Sequence, residues 1–310
     1  MHWRIKGLAQ KALGVLPGGR HLHYRAQRHF GGLRNFSREF AGKVDDWKIM
    51  VGHLREAGTC LRRSRFYEIG TGWYPTFPVA LYLAGAPRVV TCDQTRHLCP
   101  DLTRKAVAGF GRILGDIART AGVEAVEVRE RHAGLASALA GGQDLSAASG
   151  GVIDYAAPAD ATRSGLEAGA VDVVFSNSVL EHVPPAVVTS LYREARRILV
   201  PGGRMFHSVN CGDHYAYIDP RIHQLHYLKY SDRQWRFWNN RFLYQNRMRA
   251  HEFVDGARAE GFEIELDTST PRPLRLEQLR LMDVADRFKG IPPEKLCITT
   301  VDFIARKAVG

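Results

Sequence analysis

Cysteine is sparse in this chain, and its spacing pairs none of it. The five residues Cys60, Cys92, Cys99, Cys211 and Cys297 form no C-x-x-C pair, and their number is odd. That argues against a disulfide framework and a structural zinc site and fits reduced thiols in a cytoplasm. No apolar run approaches the roughly 20 residues that a membrane-spanning helix needs. Arg4, Lys6 and Lys11 interrupt the N-terminus where a secretory signal would carry its apolar core. There is no low-complexity tract and no internal repeat. Acid is nearly missing from the first forty residues, where Glu39 alone faces eight Lys/Arg, giving +7 of a total net charge of +11. Such a segment suits an anionic membrane surface, a nucleic acid or a phosphorylated ligand, and equally a solvated basic arm.

What is present is an ordinary globular composition over 310 residues, 45% hydrophobic and 24% charged. It is enough for one α/β domain with additions. Residues 1–42 read as a basic arm broken at Pro17-Gly18-Gly19, and residues 43–310 as the domain. The periodicity of Val44, Trp47, Met50, Val51 and Leu54 predicts a helix over 43–58. An alternation then begins. Strands are expected at Arg65–Ile69, Arg88–Cys92, Gly151–Tyr155, Val171–Ser176 and Arg204–Val209. Helices are expected at Pro75–Ala84, over 97–121, within 122–150 and over 185–199. Two more strands, Phe262–Leu266 and Cys297–Ile304, follow a helix at 247–260 and flank another at 274–288. Repeated β-α-β units imply a mostly parallel sheet with helices on both faces. Residues 212–246 break the rhythm and read as an insertion.

Two features carry the first chemistry. Glu68-Ile69-Gly70-Thr71-Gly72-Trp73 closes a strand in a glycine loop, where backbone can approach a ligand. Asp93 follows Glu68 by 25 residues, at the end of the next strand, where a carboxylate can accept both ribose hydroxyls. Bulky Trp73-Tyr74-Pro75 stands where a dinucleotide site has glycine, which favours a ligand without a pyrophosphate.

These segments resemble those of the class I S-adenosylmethionine-dependent methyltransferases. The shared stretches are EIGTGW at 68–73, VVTCDQT at 89–95, PADA at 158–161, VDVVFSNSVLEHV at 171–183 and LVPGGR at 199–204. The resemblance implies a Rossmann-like, seven-stranded α/β fold with its last strand antiparallel, and S-adenosyl-L-methionine as cofactor. It implies that Glu68, Gly70, Thr71 and Gly72 form the loop around the methionine part. Asp93 would hold the ribose, with Gln94 beside the adenine, and Asp160 and Ala161 would meet the adenine amino group. Asn177, Ser178 and Val179 would lie beneath the sulfonium. Many members carry a third loop glycine where this chain has Tyr74. Through LPGG at 16–19 and YQNRMRA at 244–250, the chain is also similar to methyltransferases encoded beside polysaccharide-assembly enzymes.

The 207–250 stretch is rich in His, Arg and aromatics, among them Trp235, Phe237, Trp238 and Tyr244. It reads as a substrate lid suited to a sugar, an anionic lipid-linked acceptor or nucleic acid, or as a small helical cap with its own core. A hydroxyl acceptor needs a proton acceptor. Asp213 and His214 are the first choice, with His182 and His207 as further candidates. Glu181-His182 offers two metal ligands without a full set, so no metal is expected. The expected reaction is O-methylation of a sugar, glycan or other small-molecule hydroxyl. The alternatives are RNA methylation, for which no RNA-binding module is visible, and a non-catalytic adenosylmethionine-binding partner protein. A cytoplasmic protein, with residues 1–40 touching an anionic membrane peripherally, is the expected setting.

Overall fold

The computed structural model describes residues 2–16, 35–240 and 242–309. Its core is one seven-stranded sheet, ordered β3-β2-β1-β4-β5-β7-β6. The strands are β1 (Arg65–Ile69), β2 (Arg88–Cys92), β3 (Ile153–Ala156), β4 (Val171–Asn177), β5 (Leu199–Asn210), β6 (Phe262–Asp267) and β7 (Thr300–Lys307). β1 to β5 pair in parallel, and β7 runs antiparallel to both β5 and β6. The expected Rossmann-like architecture is therefore present. Chain order reverses between β1 and β4, which opens a crevice at their carboxyl ends.

Helices cover both faces: α1 (Trp3–Val15), α2 (Phe36–Glu56), α3 (Thr76–Leu83), α4 (Pro100–Phe110), α5 (Leu114–Ala121), α6 (Ala125–Ala140), α7 (Pro185–Ile198), α8 (Asp232–Trp238), α9 (Ala250–Ala259) and α10 (Pro273–Arg280). The two faces carry separate apolar clusters. One centres on Phe66, Phe110 and Trp47, and the other on Tyr192, Phe253 and Phe303. Among the described residues, no helix is long and apolar enough to cross a membrane.

Several boundaries differ from the sequence expectation. α2 begins at Phe36, because Phe36 and Phe40 extend its apolar face and Phe40 packs on Phe110 at 5.0 Å. The 97–121 stretch breaks into α4 and α5 at Gly111-Arg112. The helix expected over 274–288 ends at Arg280, and β7 starts three residues later than expected.

The basic arm needs a larger correction. Residues 3–15 form a helix docked on the lid, and 36–42 belong to α2. Trp3, Gly7 and Gln10 share one face of α1. Trp3 is buried, with Tyr215, His226 and Trp238 rings at 5.3, 5.2 and 4.7 Å. Its backbone N–H donates to Asp219 at 3.0 Å. A Cβ on Gly7 would meet the Tyr215 hydroxyl at 3.0 Å, so glycine sets how closely α1 approaches. The Pro17-Gly18-Gly19 break, with Arg20, Arg25, Arg28 and Arg34, lies outside the described residues.

The 212–246 insertion is a helical cap with its own core. Trp235 is buried against Tyr227 at 5.4 Å, and its indole N–H donates to the Gln245 carbonyl at 3.1 Å.

Candidate active site

A cleft of about 1130 Å³ opens at the carboxyl ends of β1, β2 and β4. Gly70, Gly72, Asp93, Gln94, Asp160, Ala161, Asn177, Ser178, Val179 and His182 line it together. Gly70 has φ +89°, and a Cβ there would lie 2.6 Å from Val179 Cγ2. The loop thus closes against the β4 end only because glycine supplies both the dihedral and the space. Ser178 takes φ +54° without being glycine and is anchored by its N–H to the Ser208 carbonyl at 2.9 Å. Strain of this kind at a strand end is a feature of functional sites.

Asp93 holds the opposite wall. Its carboxylate accepts the Gly72 N–H at 3.2 Å and the Tyr155 hydroxyl at 2.9 Å. Burial pushes its pKa up, and those two bonds oppose the rise. Asp160 is more exposed and is held below the usual carboxylate range by the Thr162 hydroxyl and N–H. Two expected cofactor residues lie beneath the loop. Glu68 is buried and accepts from the Thr91 hydroxyl, which also meets the Thr71 hydroxyl. Burial pushes the Glu68 carboxyl up to about 8, against the Thr91 bond and the Lys43 charge. Their side chains therefore buttress the loop from below. Tyr74, at the missing third glycine, turns away and packs on Phe36 at 5.0 Å.

Helix α2 adds a wall that sequence reasoning missed. Arg38, Glu39, Lys43 and Asp46 line the cleft. Burial pulls the Lys43 ammonium down, while Glu68, Asp93 and Asp46 oppose it. Asp46 accepts the Asn177 amide at 3.0 Å. Lys43 and Asp46 flank Val44 and Trp47 on the buried face of α2, and that position at its edge was the available signal. Trp73 and His97, with rings at 5.0 Å, also line the cleft.

At the acceptor end the expected grouping changes. Asp213 is fully buried. It accepts the Tyr215 N–H at 2.9 Å and pairs with His226 Nδ1 at 3.1 Å. It caps a turn and fixes the lid, so it does not orient His214. His207 sits within β5 with its ring buried against Phe303 and its Nδ1 at 2.7 Å from the Ser176 hydroxyl, and burial pulls its pKa down to about 3. A side chain so enclosed cannot reach an acceptor in the cleft. His214 lies behind the cleft lining, its ring 4.9 Å from that of His182. Burial, then His182 and Lys6, pull His214 down to about 3.

His182 itself lines the cleft, and its Nδ1 donates to the Tyr244 carbonyl at 2.7 Å. A carbonyl only accepts, so the neutral ring carries its lone pair on Nε2. The segment 244–249 ties these pieces together. Gln245 accepts the His214 N–H at 3.0 Å, and Asn246 donates to the Leu180 and Val183 carbonyls at 2.7 and 2.9 Å. The buried Arg249 donates to the Cys211, Leu296 and Ile298 carbonyls.

Residues 105–207 match the sequence profile of a methyltransferase domain family. No curated protein matches the chain. Among solved structures, the chain is similar to an S-adenosylmethionine-dependent methyltransferase from Mesorhizobium loti, at 18% identity and TM-score 0.44 over 82% of this chain and 96% of that one. It is similar to a second from Methanosarcina mazei, at 16% and 0.43 over 80% and 94%. A third is geranyl diphosphate C-methyltransferase from Streptomyces coelicolor, at 15% and 0.47 over 88% and 84%. The matched profile falls within a sheet of the expected order, and the ordered motifs converge on one crevice at its switch point. The match to a methyltransferase domain family over residues 105–207 thus lies in a seven-stranded sheet of the order expected from the sequence.

Proposed function

We propose that this protein transfers a methyl group to a hydroxyl of a sugar, glycan or other small molecule. The observation that carries the reading is His182, whose unprotonated Nε2 belongs to a residue lining the cleft beside Ser178 and Val179. Bound adenosylmethionine supplies a methyl group activated by a sulfonium. The residues present fit that cofactor: Gly70 leaves a cradle that a Cβ would fill, and Asp93 offers a carboxylate to the ribose. Gly70, Ser178 and Val179 at the strand ends would set the line of approach, and residues of α2 and the lid wall the cleft around it. The rings of Tyr244 and Phe242, which also line the cleft, suit the apolar face of a sugar.

Incubating the protein with labelled adenosylmethionine and a cell extract tests this reading. Label in the polysaccharide or small-molecule fraction, in a form stable to base, supports an O-methyl ether. Label in the RNA fraction overturns it.

We also propose that α1 contacts an anionic surface. Ile5 and Leu8 of α1 and Leu16 just after it are exposed, and Arg4 and Lys11 lie at the edge toward the lid, over the rings of Trp238 and Phe237 at 5.9 and 3.9 Å. Loss of phosphatidylserine-vesicle binding in an Arg4→Gln, Lys11→Gln variant is the expected result. Equal binding by both forms contradicts it.

A further inference from the structure

We propose that Glu181, His182 and His214 hold a divalent cation at the acceptor end of the cleft. One donor atom from each lies within 4.8 Å of the others. Donor atoms around a bound ion of this class sit closer, and the three would each move by less than about 1 Å to close on one. The sequence alone offered Glu181-His182. The fold brings in the third ligand from the lid.

Unpartnered atoms point the same way. Glu181 is 2% exposed; one carboxylate oxygen accepts the Asn210 N–H at 3.3 Å, and the other, Oε2, has no partner. His214 Nε2 is likewise buried without a partner. Buried polar atoms are almost always satisfied, and an ion is one standard reason for an exception. The His182 ring is in the form that binds a cation. The Tyr244 carbonyl fixes the His182 tautomer with Nε2 free, which is how metal-binding histidines are commonly oriented.

The scaffold is built rather than incidental. Asn246 takes the Glu181 carbonyl on its N–H at 2.9 Å, and its side chain spans the turn that carries Glu181 and His182. Gln245 bonds both the His214 N–H and the Gly212 carbonyl. One short segment therefore sets both ligand-bearing turns. Two imidazoles and one carboxylate suit zinc, cobalt or manganese better than calcium, and leave coordination positions for an acceptor oxygen.

The ion's role rests on the proposed O-methylation, but its binding does not. With the ion in place, His182 Nε2 would be a ligand and no longer the proton acceptor; a hydroxyl held on the ion would become more acidic, and its proton would pass to solvent as the O–H bond breaks. The oxygen lone pair forms the new C–O bond as the methyl–sulfur bond breaks, and that electron pair stays on sulfur. The ion is neither oxidised nor reduced. The products are a methyl ether, S-adenosylhomocysteine and one proton.

Titration of Co²⁺ into the metal-free full chain, followed by its visible ligand-field absorption, tests the site. Mn²⁺ binding, followed by loss of the free-ion magnetic resonance signal, is the second readout. One equivalent should bind. Glu181→Gln and His214→Ala should each weaken binding at least tenfold, while His132→Ala, on α6, leaves it unchanged. Adenosylmethionine binding measured on the same samples shows that each variant is folded. Absence of stoichiometric Co²⁺ and Mn²⁺ binding overturns the site, as does binding that neither variant alters. Intact adenosylmethionine binding beside no binding of Co²⁺ or Mn²⁺ overturns the site and leaves the proposed function standing. Metal binding with label only in RNA overturns the hydroxyl reading alone and leaves the site standing.

Discussion

At the end of the cleft proposed for the cofactor, the residues that line it sit at the ends of the strands they follow. Gly70 and Asp93 come immediately after β1 and β2, and Asn177 is the last residue of β4. At the acceptor end, His182 is held by Tyr244, 62 positions away, and His214 by Gln245, 31 positions away. The first end is assembled by a parallel sheet, which brings strand termini together wherever the alternation is kept. The second depends on a lid that folds around its own aromatic core and on contacts that no local period announces. The two ends should therefore fail separately.

The largest effect on cofactor affinity is expected from Gly70→Val. The positive φ and the 2.6 Å approach of Val179 leave no room for a side chain. Affinity for adenosylmethionine measured by calorimetry should fall on the order of 100-fold or more, from left-handed strain plus displacement of the β4 end. Asp93→Ala comes next. Loss of charged hydrogen bonds to the ribose should cost roughly 1–3 kcal/mol of binding. An unchanged dissociation constant in a folded variant would remove Asp93 from the site.

A smaller effect is expected from acid. Glu194 accepts the Ser164 N–H and hydroxyl, and so pins the loop that leads from Asp160. The Arg197 guanidinium, followed by the Ser164 bonds, holds its carboxyl down to about 2. Its folded pKa lies below the ordinary value near 4.5, so its contribution is complete above that pH and disappears as pH falls through about 2. Melting temperatures of wild type and Glu194→Gln should differ at pH 6 and converge toward pH 2. A constant gap would show that the charge is not what matters.

The smallest effect on cofactor binding is expected from Trp3→Ala. It empties a buried ring site in the acceptor half, where such truncations cost several kcal/mol in a packed core. Amides of residues 214–238 should lose hydrogen-exchange protection, while adenosylmethionine affinity stays within about twofold. A large loss of affinity would mean that the two halves are coupled.

The sheet was legible because its signals are short-range. β1 and β2 have the limits that their apolar runs suggest, and the glycine loop and Asp93 announce themselves by position. α1 was read as part of a basic arm, only weakly amphipathic at its start, because its basic residues dominate the count. Its inward face of Trp3, Gly7 and Gln10 gains meaning only once the lid is in place. Asp213 precedes His214 in sequence, yet its side chain faces His226, because a capping carboxylate turns back on its own turn. Lys43 and Asp46 sit at the edge of an apolar helix face, and only the packing of α2 over the crevice shows what they line.

Calorimetric titration of the full chain with adenosylmethionine, S-adenosylhomocysteine and NAD, repeated on Asp93→Ala, tests the central claim most directly. Binding of the two sulfur compounds to wild type, weakened about tenfold or more by the substitution, with no binding of NAD, is the predicted result. Binding of NAD beside no binding of adenosylmethionine would contradict it.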